Sequence, residues 1–173
     1  GLGGVEGQHA GRRGVLFGPL TQRSAGHIRL YGKDYTSASP AESINRGMVY
    51  LPEERKQEGI FPLLSITENV AMPNLDRFRG LLFMNVAEMR REVQDYVQRL
   101  VIKIGDQKDR ITSLSGGNQQ KAIIARWLMK HSNILIMDEP TRGIDVNAKF
   151  EIQRELRRLT ENGLSIIFIS SEI

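Results

Sequence analysis

The chain has 173 residues, of which 40% are hydrophobic and 25% charged, and a formal net charge of +4; this composition suits one globular domain and excludes a disordered or fibrous chain. The absence of cysteine excludes a disulfide scaffold, a thiol nucleophile and cysteine-ligated zinc or iron–sulfur centres, and fits a reducing compartment. No apolar run approaches the ~18 residues of a membrane span and the opening residues do not read as a signal peptide, while scattered histidines (His9, His27, His131) and dispersed basic residues argue against a histidine metal centre and a general nucleic-acid role.

The opening stretch is glycine-rich, with Gly1, Gly3, Gly4, Gly7, Gly11, Gly14 and Gly18. Gly26 to Lys33 alternates, with Ile28 and Leu30 on one face, and predicts a short strand. Ser39-Pro40-Ala41-Glu42 combines a capping hydroxyl, proline at the first helical position and glutamate at the third; the helix it starts stops at Gly47. Met48 to Leu51 reads as a buried strand ended by Pro52, and Glu53 to Gly59 as a charged loop. A helix-rich middle follows. Its clearest element starts at Asn85, with Met89, Val93, Val97, Leu100 and Val101 on one stripe. Phe61 to Leu64, with Met72 and Pro73, reads either as core or as a docking face, and Trp127 as packing.

From Leu114 the pattern changes. A glycine turn leads into a helix from about Asn118 to Met129, and Ile134 to Met137 is an apolar strand. Asp145 caps another helix with Ile152, Leu156 and Leu159 inward and Gly163 as terminator, before the apolar strand Ser165 to Ile169. Strand, helix and strand with continuous apolar runs predict parallel pairing through a right-handed crossover.

The chemistry concentrates in Leu114-Ser115-Gly116-Gly117-Asn118-Gln119-Gln120 and in Ile134-Leu135-Ile136-Met137-Asp138-Glu139-Pro140. The second segment puts Asp138 and Glu139 at the carboxyl end of a buried strand, where open α/β sheets bind ligands. There one carboxylate holds Mg²⁺ and its neighbour orients an attacking water in phosphoryl transfer. The same pair also fits an ordinary solvated strand end. Ser-Gly-Gly ahead of a helix leaves N–H groups and a hydroxyl at the positive end of the helix dipole, an arrangement that suits an anion and equally a plain cap.

Taken together, in this order and with Arg142-Gly143-Ile144-Asp145 following, the segments closely resemble an ABC-transporter ATPase domain. LSGGNQQK resembles the signature motif, ILIMDEP the Walker B strand and Asp145 the D-loop aspartate. The resemblance implies an α/β, P-loop NTPase-like fold: a mostly parallel sheet with a small antiparallel N-terminal part and an inserted α-helical subdomain. It divides the chain into an N-terminal core part (1–61), a helical subdomain (62–130) and a C-terminal core part (131–173), truncated at both ends.

Within that resemblance Glu53 takes the place of the Q-loop glutamine, where it can accept a hydrogen bond or help bind Mg²⁺ but cannot donate as an amide does. Ser171 takes the place of the switch histidine, so a γ-phosphate contact is missing. Pro-Glu at the Q-loop, LSGGNQQK, TRGID and Ser170-Ser171-Glu172 resemble the second, degenerate ATPase half of monosaccharide-type importers; nucleoside and autoinducer importers share the pattern.

The phosphate loop departs furthest. A complete one reads G-x-x-x-x-G-K-[ST], so that N–H groups cradle phosphates and lysine reaches their oxygens. Gly4 to Arg13 offers Gly4, Gly7, Gly11 and Arg12 but no complete register, and no lysine precedes Lys33. The family's pairing of two domains head to tail implies that Ser115, Gly116, Gly117 and Gln119 face nucleotide held by a partner, with Asp145 reporting across the interface. If nucleotide binds in the domain's own site, Asp138 and Glu53 would hold Mg²⁺ there, and Glu139, with Ser171 at the switch position, would do the chemistry on ATP. The implied function is ATP-driven import of a sugar-like solute, with a second ABC ATPase domain, permease subunits and, indirectly, a solute-binding protein as partners. The implied location is peripheral, at the cytoplasmic face of the membrane, with no specific nucleic acid. The alternatives are an autonomous ATPase using Arg12, or a non-transport ABC factor of translation or DNA repair.

Overall fold

The computed structural model describes residues 27–36, 39–54, 58–80 and 83–171. The phosphate-loop positions Gly4, Gly7, Gly11 and Arg12 lie outside the described residues, as do the middle of the charged loop and Glu172. The chain divides between Met48 and Val49 into two units.

In the first unit the strand expected over Gly26 to Lys33 is instead a hairpin. Strand β1 (Arg29–Leu30) pairs antiparallel with β2 (Lys33–Asp34), Arg29 opposite Asp34 and Leu30 opposite Lys33. The cause is Tyr31-Gly32, whose φ angles of 52° and 76° supply the two left-handed residues that a two-residue hairpin loop needs. Helix α1 (Pro40–Asn45) starts as its sequence predicts. Ser39 Oγ accepts the Glu42 N–H at 3.2 Å, proline occupies the first turn, and Gly47 at φ 81° ends the helix. Its one buried side chain, Ser43, shares a 2.7 Å hydrogen bond with the Tyr35 hydroxyl, so neither buried oxygen is left unsatisfied.

The second unit is built on a three-stranded sheet in the order β3 (Met48–Leu51), β4 (Ile134–Asp138), β5 (Ser165–Ile169). Strands β4 and β5 run parallel, in a register that sets Ile134 opposite Ser165 and Asp138 opposite Ile169. Leu135, Ile136 and Met137 are buried, as a continuous apolar run in a covered strand should be. The crossover between β4 and β5 is helix α5 (Val146–Glu161). Its inward stripe of Ile152, Leu156 and Leu159 is buried.

Between β3 and β4 the chain is helical. Helix α2 (Ile66–Ala71) continues into a 3₁₀ segment (Met72–Phe78); α3 (Val86–Arg99) and a 3₁₀ turn (Ile111–Ser113) follow, then α4 (Gly116–Met129). Helix α4 is central: it packs against α2, α3 and α5, and Gln119 through Arg126 are all buried on it. The stripe on α3 holds for Met89, Val93, Val97 and Leu100 but not for Val101, which is 51% exposed. The helix ends at Arg99, and Val101 turns left-handed (φ 50°), its N–H bonding Gln98 O while the Ile102 N–H bonds Val97 O. This is a Schellman ending, and it delivers Ile102 rather than Val101 to the core. Phe61 and Leu63, 44% and 78% exposed, lie at the surface rather than in the core. No helix among the described residues is long and apolar enough to cross a membrane.

Candidate functional site: strand ends and helix caps

The carboxyl ends of β4 and β5 bring the acidic pair together with its holders. Asp138 closes β4 and is fully buried; the Tyr50 hydroxyl on β3 donates to its Oδ2 at 2.6 Å. Immediately after it, Glu139 takes φ 42°, a left-handed conformation unusual for a residue with a side chain. Two backbone bonds fix that turn: the Glu139 N–H donates to Ile169 O at 2.9 Å, and its carbonyl accepts the Arg142 N–H at 3.0 Å.

The Glu139 carboxylate accepts the Ser170 hydroxyl at 3.0 Å and the Ser171 backbone N–H. Burial pushes this carboxyl up, but the hydrogen bonds from Ser171 and Ser170 outweigh it, and the group titrates below the usual carboxylate range. It is therefore an ionised, oriented carboxylate at neutral pH. Ser171 contributes through its backbone N–H to holding Glu139. Glu53 forms an ion pair with Arg142, joining the segment after β3 to the turn after β4. Among the described residues no group of three or more histidine, aspartate or glutamate side chains gathers as a metal cage. The donor set nonetheless suits Mg²⁺, which takes one or two carboxylates together with phosphate oxygens.

The second part of the constellation is a pair of helix starts. Ser115 caps α4 and is exposed; its Oγ accepts from the Asn118 N–H at 3.4 Å and from Asn118 Nδ2 at 3.0 Å. Asp145 caps α5 in the same manner, accepting the Ala148 N–H at 2.9 Å. Gly117 lies against α5. Gln119 does not share the exposed side of the turn: it is 6% exposed, and its amide donates to Leu114 O at 3.1 Å and Ile111 O at 3.4 Å, bracing the turn from beneath.

Sequence reading missed the supports. Tyr50 and Ser170 are ordinary polar residues whose role exists only once distant strands meet. Two buried cations on α4 left a faint signal, as charges interrupting the apolar run after Gln120. Lys121 Nζ reaches Glu151 Oε2 on α5 at 2.9 Å and Val101 O at 3.1 Å; the Lys121 hydrogen bond and charge, then Lys103, hold the Glu151 carboxyl below its usual range. Arg126 donates to Asn69 O at 2.6 Å, Gly59 O at 2.7 Å and Asn69 Oδ1 at 3.2 Å, with Phe61 under its guanidinium at 5.3 Å. Burial lowers its pKa to about 10, which leaves it a cation at neutral pH. Asn69 completes this joint by accepting the Phe61 N–H and donating to the carbonyls of Phe61, Leu64 and Ser65.

Solved ATP-binding cassettes share this fold. The dimeric bacterial ABC transporter cassette MJ0796 superposes with a TM-score of 0.70 at 23% identity, over 96% of this chain and 70% of that one. The nucleotide-free cassette of another ABC transporter gives 0.73 at 20% identity, over 92% and 64%. The ABC transporter family profile matches residues 15–142, and the chain belongs to that family. Its relatives include the xylose import ATP-binding protein XylG of Thermoanaerobacter pseudethanolicus, 43% identical over 91% of this chain and 31% of that protein. The ribose import ATP-binding protein RbsA of Burkholderia mallei is 46% identical over 84% and 29%. A putative ribose/galactose/methyl galactoside import ATP-binding protein of Pseudomonas syringae pv. syringae is 42% identical over 100% and 33%. The chain spans about a third of the length of the curated relatives it matches.

Proposed function

We propose that this chain is ATPase machinery of an importer for a sugar-like solute, and that its main part is to present the Ser115–Gly117 turn to nucleotide bound by a second ABC ATPase domain. The observation that carries this reading is the exposed Ser115 cap at the start of a 14-residue buried helix. That cap gives a hydroxyl and helix N–H groups a fixed direction, toward an anion that the incomplete Gly4–Arg13 loop is poorly suited to hold. The names of the relatives support the sugar class, and membership in the family supports permease partners and a peripheral place at the cytoplasmic face of the membrane.

Bound MgATP supplies the phosphoryl group that passes to water. The chain's residues bind, orient and hold protons around it. Asp138, fixed by Tyr50, and Glu53, paired with Arg142, are the carboxylates that would hold Mg²⁺ if nucleotide binds in the domain's own site. Glu139, kept ionised by Ser170 and Ser171, orients water as the base. Asp145 holds the start of α5 beside the partner domain. A second reading, an ATPase complete in itself with Arg12 in the phosphate loop, draws support from the oriented Glu139, which would have little use in a pure signature donor.

The Ser115→Arg variant tests the first reading by placing a bulky side chain at the exposed cap. Turnover of the assembled ATPase is expected to fall to background while the circular dichroism and melting of the chain stay unchanged. Undiminished turnover would refute the reading.

A further inference from the structure

Gly117 has no conformational reason to be glycine. It is the second residue of α4, and its backbone is not among those with positive φ. Glycine inside a helix costs about 1 kcal/mol relative to alanine, so propensity argues against it. Space argues for it. A Cβ at Gly117 would stand 2.6 Å from Ala148 Cβ and 3.6 Å from Ile144 Cγ2. The nearer atom cannot swing aside, because an alanine methyl has no rotamer to change and the Ala148 N–H is tied to the Asp145 cap at 2.9 Å.

One turn further along both helices the same faces are bonded again: Lys121, four residues after Gly117, meets Glu151, three residues after Ala148, at 2.9 Å. Lys103 adds to this seam, its Nζ 3.9 Å from Glu151 and its N–H on Asn118 Oδ1 at 3.0 Å. The starts of α4 and α5 are thus locked side by side.

We infer that Ala148 is a positioning residue: its contact with Gly117 sets the spacing of the two helix starts, so that the Ser115 turn and the Asp145 cap move as one piece. Gly117 keeps its backbone N–H in the turn, but its lack of a side chain answers to α5. That the piece acts on nucleotide rests on the function proposed above; the packing itself does not.

The test is a cycle of Gly117→Ala, Ala148→Gly and the double variant, read by melting temperature and by ATP turnover of the assembled protein. Gly117→Ala is expected to lower Tm by about 4 °C or more, as overpacking does, and turnover by about tenfold or more, as misplaced groups do. Adding Ala148→Gly is expected to return both to the level of Ala148→Gly alone. If Gly117→Ala does not fold, folding of the double variant is itself the rescue.

A double variant as depressed as Gly117→Ala in both readings overturns the inference, because the added methyl then meets something other than Ala148. Recovery of Tm with turnover still depressed overturns the positioning role, since glycine is then demanded at the ligand side. Ser115→Arg in parallel separates the two claims. If it leaves turnover intact the proposed function fails, and the Gly117–Ala148 contact stands or falls on the Tm cycle alone.

Discussion

At Glu139 two seryl groups decide how a carboxylate titrates. Its folded pKa lies below the usual value, so it stabilises the fold above the pKa of the unfolded chain, and that contribution is lost as pH falls through the folded value. Ser170→Ala removes one donor and is expected to move the Glu139 titration upward, read from its carboxyl ¹³C shift against pH; an unmoved midpoint would show that Ser170 does not hold the group. The acidic pair was legible in the sequence because four apolar residues run straight into it. Its holders were not, since Tyr50 is 88 residues from Asp138 and Ser170 is 31 from Glu139. Arg126 was hidden for a related reason: its acceptors are backbone carbonyls and one amide oxygen, which no spacing of charges announces.

Among the elements, helix starts were more legible than helix ends. Asn85 and Asp145 each cap where a short polar residue precedes an apolar stripe, and Ser39 where proline and a third-position glutamate follow. Beyond the ends of α3 and α4 the left-handed positions are instead Val101 and His131, with φ of 50° and 56°, where glycine or asparagine would have been the signal. The hairpin at Tyr31-Gly32 escaped notice in the same way, because two strands of two residues share one alternation. Helix α2 carries a full capping box: Ser65 Oγ accepts the Glu68 N–H at 3.2 Å, and Glu68 accepts the Ser65 N–H at 2.8 Å. The Ser65 hydroxyl and backbone bonds lower the Glu68 pKa. Ser65→Ala is expected to cost about 1 kcal/mol in urea unfolding at neutral pH. The difference from the parent chain should shrink as pH falls below the usual glutamate range, where the unmodified box is protonated too; a pH-independent difference would assign the loss to the hydroxyl cap alone.

For the whole molecule, the α/β architecture followed from two apolar strands flanking a capped helix, and the family from the order of the motifs. Under the proposed function the second unit serves nucleotide held by another domain, in keeping with an exposed Ser115 cap and an enclosed Asp138. Calorimetric titration of the chain with MgATP is therefore expected to give no detectable heat of binding, and micromolar affinity would instead favour the autonomous ATPase. The left-handed backbone at Glu139 adds a consequence for how such a molecule drifts under mutation. An L residue there carries about 1 kcal/mol or more of torsional strain, which glycine would release while discarding the carboxylate. Glycine there would also forfeit the bonds that Ser170 and Ser171 donate to the carboxylate and would loosen the unfolded chain, so relief of the twist and loss of the acid's own anchoring act against each other at Glu139.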